Sequence, residues 1–177
     1  MNKKYITLIL LLLVNCAIAQ VKHTVTKSTI TFQIKNLGFN TGGSIGGLKA
    51  NIQFDPTNLD KSIIEASADV NTINTDNDTR DEHLKGESYF DAAKYPEITM
   101  KSVSIKHKGG DSYTGQFNVT IKGKTELLDM PFIYTVNGAN ASFKGILKLK
   151  RTDFGIGSSS MVMSNDVTVN IDVEASK

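Results

Sequence analysis

Tryptophan is absent from this chain, and cysteine occurs once, at Cys16. Cys16 lies in "MNKKYITLILLLLVNCAIAQ", where a basic start (Lys3, Lys4) leads into an apolar run from Ile6 to Val14 and then to the small residues Ala17 and Ala19. That layout is the layout of a secretory signal peptide, and its apolar run is too short to span a bilayer as a permanent helix. Cleavage is expected after Ala19, leaving a signal over 1–19 and one domain over 20–177. Lipidation of Cys16 is the weaker alternative, because Asn15 is a poor residue before a lipidated cysteine. The processed chain then has no cysteine, which excludes a disulfide and requires an exported domain to be held by its core alone.

An excess of either charge is also missing. Residues 1–19 hold two lysines and no acid, so the remainder balances 18 basic against 18 acidic residues. Nothing in this balance points to a general nucleic-acid or anionic-membrane binder. There is no linker or low-complexity tract, and the length suits one domain with a sizeable core.

Motifs for chemistry are equally sparse. There is no G-x-S-x-G and no nucleophilic cysteine after processing. Ser158, Ser159 and Ser160 read as a polar loop. "DFG" at 153–155 lacks the nucleotide loop and catalytic-loop partners of a kinase. "GGSIGG" at 42–47 leads into a strand rather than a helix, so it lacks a helix N-terminus to hold phosphate; a flexible hairpin or barrel-mouth turn fits it better. His23, His83 and His107 have no zinc-ligand spacing. Asp76, Asp78 and Glu87 fit positions 1, 3 and 12 of a calcium loop, but Arg80 and Asp81 stand where an oxygen ligand and a glycine belong. No metal, cofactor or catalytic residue is assigned.

What the chain has in abundance is alternation at period two, the mark of strands with two different faces. In "DVTVNIDVEA", Val167, Val169, Ile171 and Val173 oppose Thr168, Asn170, Asp172 and Glu174. Phe117, Val119 and Ile121 repeat this in "YTGQFNVTIKG", as do Phe143, Leu147 and Leu149 against Lys144, Lys148 and Lys150, and Ile30, Phe32 and Ile34 in "TITFQIK". Eight strands follow, at about 29–37, 46–54, 63–71, 97–106, 112–121, 126–136, 141–151 and 166–175. The fourth changes face from Ile98 and Met100 to Val103 and Ile105, which predicts a bulge near Ser102. Short turns make neighbours antiparallel, and eight such strands close readily into a barrel without exposed edges. The lack of tryptophan and the polar insert described next argue for an apolar interior rather than an outer-membrane barrel.

The insert is "NTDNDTRDEHLKGESYFDAAKYP", residues 74–96. Thr75-x-x-Asp78 has the pattern of a capping box, and Gly86 that of a left-handed stop, predicting a helix from Asp76 to Lys85. Its apolar content is mainly Leu84, so it should lie on the barrel, pinned by Leu84, Tyr89 and Phe90. Arg80 among carboxylates reads as an ion-pair network holding this helix, with recognition of an anionic headgroup as the alternative.

This insert also carries a resemblance. "TRDEHLKGESYFDAAKYPEITMKSVSI" is similar to the signature of the YceI-like lipid- and polyisoprenoid-binding proteins, matching by type at Arg80, Asp81, His83, Leu84, Tyr89, Phe90, Asp91, Lys94, Tyr95, Pro96 and Ser102. The likeness continues in "FDPTNL" (54–59), "GQFNVTIKGKT" (115–125), "KRTDFGIG" (150–157) and "SNDVTVNIDVEA" (164–175). Departures fall at Asn36, where the family usually has His, at Ile45 and Leu48, usually Phe, and at Met100, where Phe is common.

The resemblance implies an all-β, eight-stranded, lipocalin-like antiparallel barrel with one short helix between strands 3 and 4. It implies a bacterial exported carrier that holds an isoprenoid, quinone or fatty-acyl lipid in an apolar tunnel. Phe32, Ile34, Phe54, Phe117, Val119, Ile121, Phe143, Leu147, Val169 and Ile171 are the candidates for its wall or packing. Arg80, Asp81 and His83 are the candidates for touching a headgroup or fixing the helix. The expected location is the periplasm, with secretion as the alternative and no stable membrane span. The oligomeric state stays open, a homodimer being one option. The rival readings are an adaptor that hands a lipid to a membrane partner, and an enzyme or metal protein centred on 76–91.

Overall fold

In the computed structural model, which describes residues 21–177, eight antiparallel strands form one closed barrel in chain order, with β1 pairing both β2 and β8. The strands are β1 Lys22–Asn36, β2 Phe39–Gln53, β3 Ile63–Asn74, β4 Glu97–Gly109, β5 Ser112–Ile121, β6 Lys124–Asn137, β7 Asn140–Lys150 and β8 Met163–Ser176. The helix α1, Asp78–Lys85, follows β3. The signal peptide expected over 1–19 lies outside the described residues.

The predicted strands are present, and β1 and β2 each begin seven residues earlier than expected. β1 begins at Lys22 because its register against β8 shifts between Val25 and Lys27. The bulge moves the inward set from His23 and Val25 to Ile30, Phe32 and Ile34, so one strand reads in sequence as a strand preceded by noise. β2 begins at Phe39, and "GGSIGG" lies inside it rather than in a hairpin. The turn is at Leu37 and Gly38, both with positive φ. A Cβ on Gly42 would be driven into the Phe32 carbonyl oxygen, and one on Gly43 into the Asn74 carbonyl oxygen and the Phe32 ring. These glycines serve close approach of neighbouring chain, not flexibility.

The bulge in β4 falls where the change of face placed it, with the β4–β5 register shifting between Ser102 and Ser104. Ile105 turns inward and is buried, but Val103 is 55% exposed, so only one of the two expected residues joins the core. β3 pairs with β4 only from Glu65 to Asp69. Beyond that point the 75–96 connection continues the wall, starting from the Val70 N–H, which donates to the Pro96 carbonyl at 2.8 Å.

The start and stop of α1 differ from the sequence signals. Its N-cap is Asn77, whose side chain accepts from the Arg80 N–H at 2.9 Å. Thr75 is instead tied to Asp81: its N–H and hydroxyl donate to Asp81 Oδ1 at 3.0 and 2.5 Å. Thr75 and Asp81 are both buried. Asp78, the acid three positions on, is exposed, and Thr75 takes instead the buried Asp81, six positions on. Gly86 is extended (φ −68°, ψ 165°), not left-handed; the left-handed residue is Asp91, at φ 52°. Replacing Asp81 by Ala leaves the buried Thr75 N–H without its acceptor, and the expected loss is about 2 kcal/mol of unfolding free energy in urea titration. An unchanged midpoint would contradict the anchoring role.

One end of the barrel is closed by rings. Phe54, Tyr113, Phe132, Tyr134 and Phe143 pack mainly edge to face, with centroids 4.7 Å apart for Phe54–Tyr134 and 4.8 Å for Tyr134–Phe143. His23 joins them, 2% exposed, with Nε2 3.1 Å from the Tyr134 hydroxyl. Burial among these rings pushes the His23 imidazole below its ordinary value of 6.5. The unfolded chain therefore binds a proton that the folded one resists, so His23 stabilises the fold fully above pH 6.5 and loses that contribution as pH falls toward its folded value. Asp55, Glu65 and Asp69, whose carboxyls are held below their ordinary values by hydrogen bonds, act only at more acid pH. The melting temperature should fall as pH drops below about 6.5, and His23→Phe should flatten that slope in a thermal scan series.

Candidate functional site

Above the aromatic plug the inward residues become smaller, and the barrel holds an apolar cavity of ≈ 230 Å³. Ile30, Phe32 and Ile34 of β1 stand beside their ladder partners Ile171, Val169 and Val167 of β8 in its wall. Val119 and Ile121 of β5, and Leu147 and Leu149 of β7, continue it. Leu84, Tyr89 and Phe90 of the insert line it as well. The inward positions on β1 run from Ile30 to Asn36, roughly 20 Å along the strand at ~3.3 Å per residue. Arg80 is exposed and also lines the cavity, so the cavity reaches the surface beside α1.

Seven of the ten residues expected for the wall are brought together here: Phe32, Ile34, Val119, Ile121, Leu147, Val169 and Ile171. Phe54, Phe117 and Phe143 are not among them. Phe54 and Phe143 belong to the plug, and Phe117, fully buried, packs over Gly115, where its ring occupies the space of a Cβ. Alternation identifies the face a side chain takes but not its height along the barrel. On β5 and β7 alike, the phenylalanine comes first and the lining aliphatics follow.

The polar candidates separate. Asp81 is consumed by Thr75, and His83 is exposed on α1. Arg80 touches the cavity, but not as the centre of an ion-pair network. Its Nε donates to Thr75 Oγ1 at 2.7 Å and its Nη2 to the Thr75 carbonyl at 2.6 Å. Among the described residues its guanidinium has no carboxylate partner. The three histidines sit on different elements, with His107 donating to the Gly110 carbonyl at the β4–β5 turn. Asp76, Asp78 and Glu87 form no metal-binding group with one another.

Arg151 is the residue the sequence reading missed. It is 3% exposed and lines the cavity. Nε donates to the Ser164 carbonyl (2.9 Å), Nη1 to that of Ile156 (2.9 Å) and Nη2 to that of Met163 (3.3 Å). The signal was available: Leu147, Leu149 and Arg151 continue one alternation, which places position 151 inward. Asn36, Ile45, Leu48 and Met100, the four departures from the family pattern, all line the cavity.

The cavity mouth has an apolar rim. Leu37 lies in the β1–β2 turn and Phe39 directly after it, Met161 and Val162 lie in the β7–β8 connection, and all four are more than half exposed. The Leu37 N–H donates to the Val162 carbonyl at 2.7 Å and joins the two. On the outer face of β7, Lys144, Lys148 and Lys150 are exposed, and Lys144 pairs with Asp172 at 3.0 Å. The barrel is therefore apolar inside and charged on this outer face. Among the described residues no helix is long and apolar enough to cross a membrane.

The sequence pattern of the YceI-like domain matches residues 22–175. The UPF0312 protein of Yersinia pestis (strain Pestoides F) is 30% identical over 152 residues, covering 82% of this chain and 79% of that protein. A UPF0312 protein of Vibrio cholerae serotype O1 is 28% identical over 145 residues, covering 76% and 77%. The crystal structure of Burkholderia cenocepacia BcnA superposes with a TM-score of 0.81 at 27% identity, covering 84% of this chain and 96% of that one. A domain from Saccharophagus degradans, described as polyisoprenoid-binding and implicated in plant cell wall breakdown, shares the fold with a TM-score of 0.67 at 16% identity, covering 88% and 97%. With the domain match running from the first strand to the last, this chain belongs to the YceI-like family.

Proposed function

We propose that this protein is a non-enzymatic carrier that holds one long isoprenoid or fatty-acyl chain in the barrel cavity. The observation that carries this reading is the cavity itself: aliphatic side chains from β1, β5, β7 and β8 surround an elongated space that rings close at one end and that reaches the surface at the other. The polyisoprenoid-binding description of the Saccharophagus degradans domain supports the same class of ligand. Each CH₂ taken from water into such a space contributes roughly 0.8 kcal/mol, which makes chain burial the main source of affinity. Ordering the chain offsets part of it. A quinone with a prenyl tail belongs to the same class.

The basic, apolar and small-residue layout of residues 1–19 supports export, with the bacterial periplasm as the place of action. There a free prenyl or acyl chain is nearly insoluble, and a closed barrel keeps it from aggregating. N-terminal sequencing of the exported protein should begin at Gln20.

Organic extraction and mass spectrometry of protein purified from its exporting host should return a long-chain lipid. Val169→Trp, which fills the cavity from its wall, should abolish that lipid while the circular dichroism spectrum stays that of the barrel. Protein that is empty in every preparation, and takes up neither prenyl nor acyl chains, would sink the carrier reading.

A further inference from the structure

Among the described residues, two arginines line this cavity and no aspartate or glutamate does. Arg80 and Arg151 both lack a carboxylate partner among the described residues. Arginines at apolar sites are ordinarily paired, because a charge withdrawn from water is costly until an opposite charge or enough hydrogen bonds answer it. Arg151 is 97% withdrawn from solvent, yet it has only three backbone carbonyls for its five N–H groups. Arg80 spends two donors on Thr75 and leaves the rest of its fork unassigned. Carbonyl dipoles orient a guanidinium but do not cancel its charge.

The surroundings favour a ligand as the missing partner. Gly157 packs closely against the Arg151 Nη1 side: a Cβ there would stand 3.1 Å from Nη1 and 3.2 Å from the Tyr89 ring, which itself lines the cavity, so Nη1 lies beside the cavity wall. Met163, whose carbonyl accepts from Arg151, pairs in register with Asn36, and both line the cavity. Arg80 reaches the same end through Thr75, which packs against Gly43 and the Phe32 side of β1. The cationic groups are thus gathered at the end away from the aromatic plug, where the head of a chain inserted tail-first must lie.

We propose that Arg151 and Arg80 form a head-reading subsite that selects chains ending in an anionic oxygen group, a carboxylate or a phosphate, over neutral heads. This rests on the carrier reading and assigns the end of the chain that reading leaves open. A guanidinium presents parallel donors matched to both oxyanions, and a hydrogen bond to a charged acceptor in a dry site is worth more than one to a hydroxyl.

The test compares hexadecanoate, hexadecyl phosphate and hexadecanol, which share one chain and differ in the head, by displacement of a fluorescent apolar probe from the purified protein. At least one anionic chain should bind about tenfold or more tighter than the alcohol, the ratio expected for a charge-assisted hydrogen bond. Which of the two prevails tells carboxylate from phosphate. Arg80→Met should shrink the ratio several-fold, and it does so without disturbing the carbonyls that Arg151 holds. Arg151→Lys keeps the charge but loses the fork, and should also shrink the ratio. Equal affinity for all three chains would overturn the head-reading subsite while leaving chain carriage standing. A preference that survives in both variants would overturn its assignment to these arginines. Binding of no chain at all would remove chain carriage, and the subsite with it.

Discussion

Closure of the sheet by β1 against β8 is the constraint on which the rest of this molecule depends. β1 pairs with β8 almost throughout, from Thr24↔Ser176 to Asn36↔Met163, and with β2 on its other edge. Once the edges are joined, every inward side chain on eight strands must share one interior, and their sizes alone decide whether it is filled. At one end five aromatic rings and His23 fill it. Toward the other the inward residues are mostly isoleucine, valine and leucine, with Ala66, Ala68 and Gly42 among them, and they leave it open. The cavity is a consequence of residue volume on a fixed scaffold, not of a special loop.

The same closure explains the insert. β3 runs past the end of its pairing with β4, so the barrel wall is incomplete beyond Asp69. Residues 75–96 fill the gap with a short, highly charged helix whose inward contributions are few: Leu84, Tyr89 and Phe90. Such a helix has little apolar surface to hold it, which is why its attachment is a buried carboxylate on a backbone N–H and a hydroxyl rather than a packed face. A short helix held mainly by polar contacts to Thr75, next to the cavity mouth, is a local element whose stability can differ from that of the ladders around it.

The barrel was legible because alternation survives in any strand with one apolar face. What disrupted the reading was physical in each case. The bulge after Val25 broke the period of β1, and glycines required by close chain approach in β2 looked like a turn. In the candidate site, the aliphatic wall was legible as an inward face, but Phe54, Phe117 and Phe143 share that face at a different height. Height follows from register, and register requires knowing which residue faces which across the ladder. The expected ion-pair network around Arg80 failed for a related reason: the charges are close in sequence, but the buried Thr75 took the Asp81 carboxylate first.

Arg151 illustrates the converse. Its position was predictable by continuing the alternation of β7, yet charge made it look like the exposed lysines beside it. Its burial with three carbonyls and no acid separates two roles that an arginine can play in a barrel. An arginine kept purely for stability is best served by a bidentate carboxylate, which cancels its charge and uses its fork. An arginine kept to receive a ligand must leave charge unanswered, held in place by dipoles that fix its orientation. Ile156 in the β7–β8 connection, and Met163 and Ser164 at the start of β8, supply such dipoles. The connection in turn is ordered by the arginine it surrounds, so the cavity end, its loop and its charge form one unit. Four lining positions depart from the family pattern, Asn36 in place of the usual histidine among them. Among the described residues, the two arginines, rather than a histidine, are the cationic groups on the cavity wall.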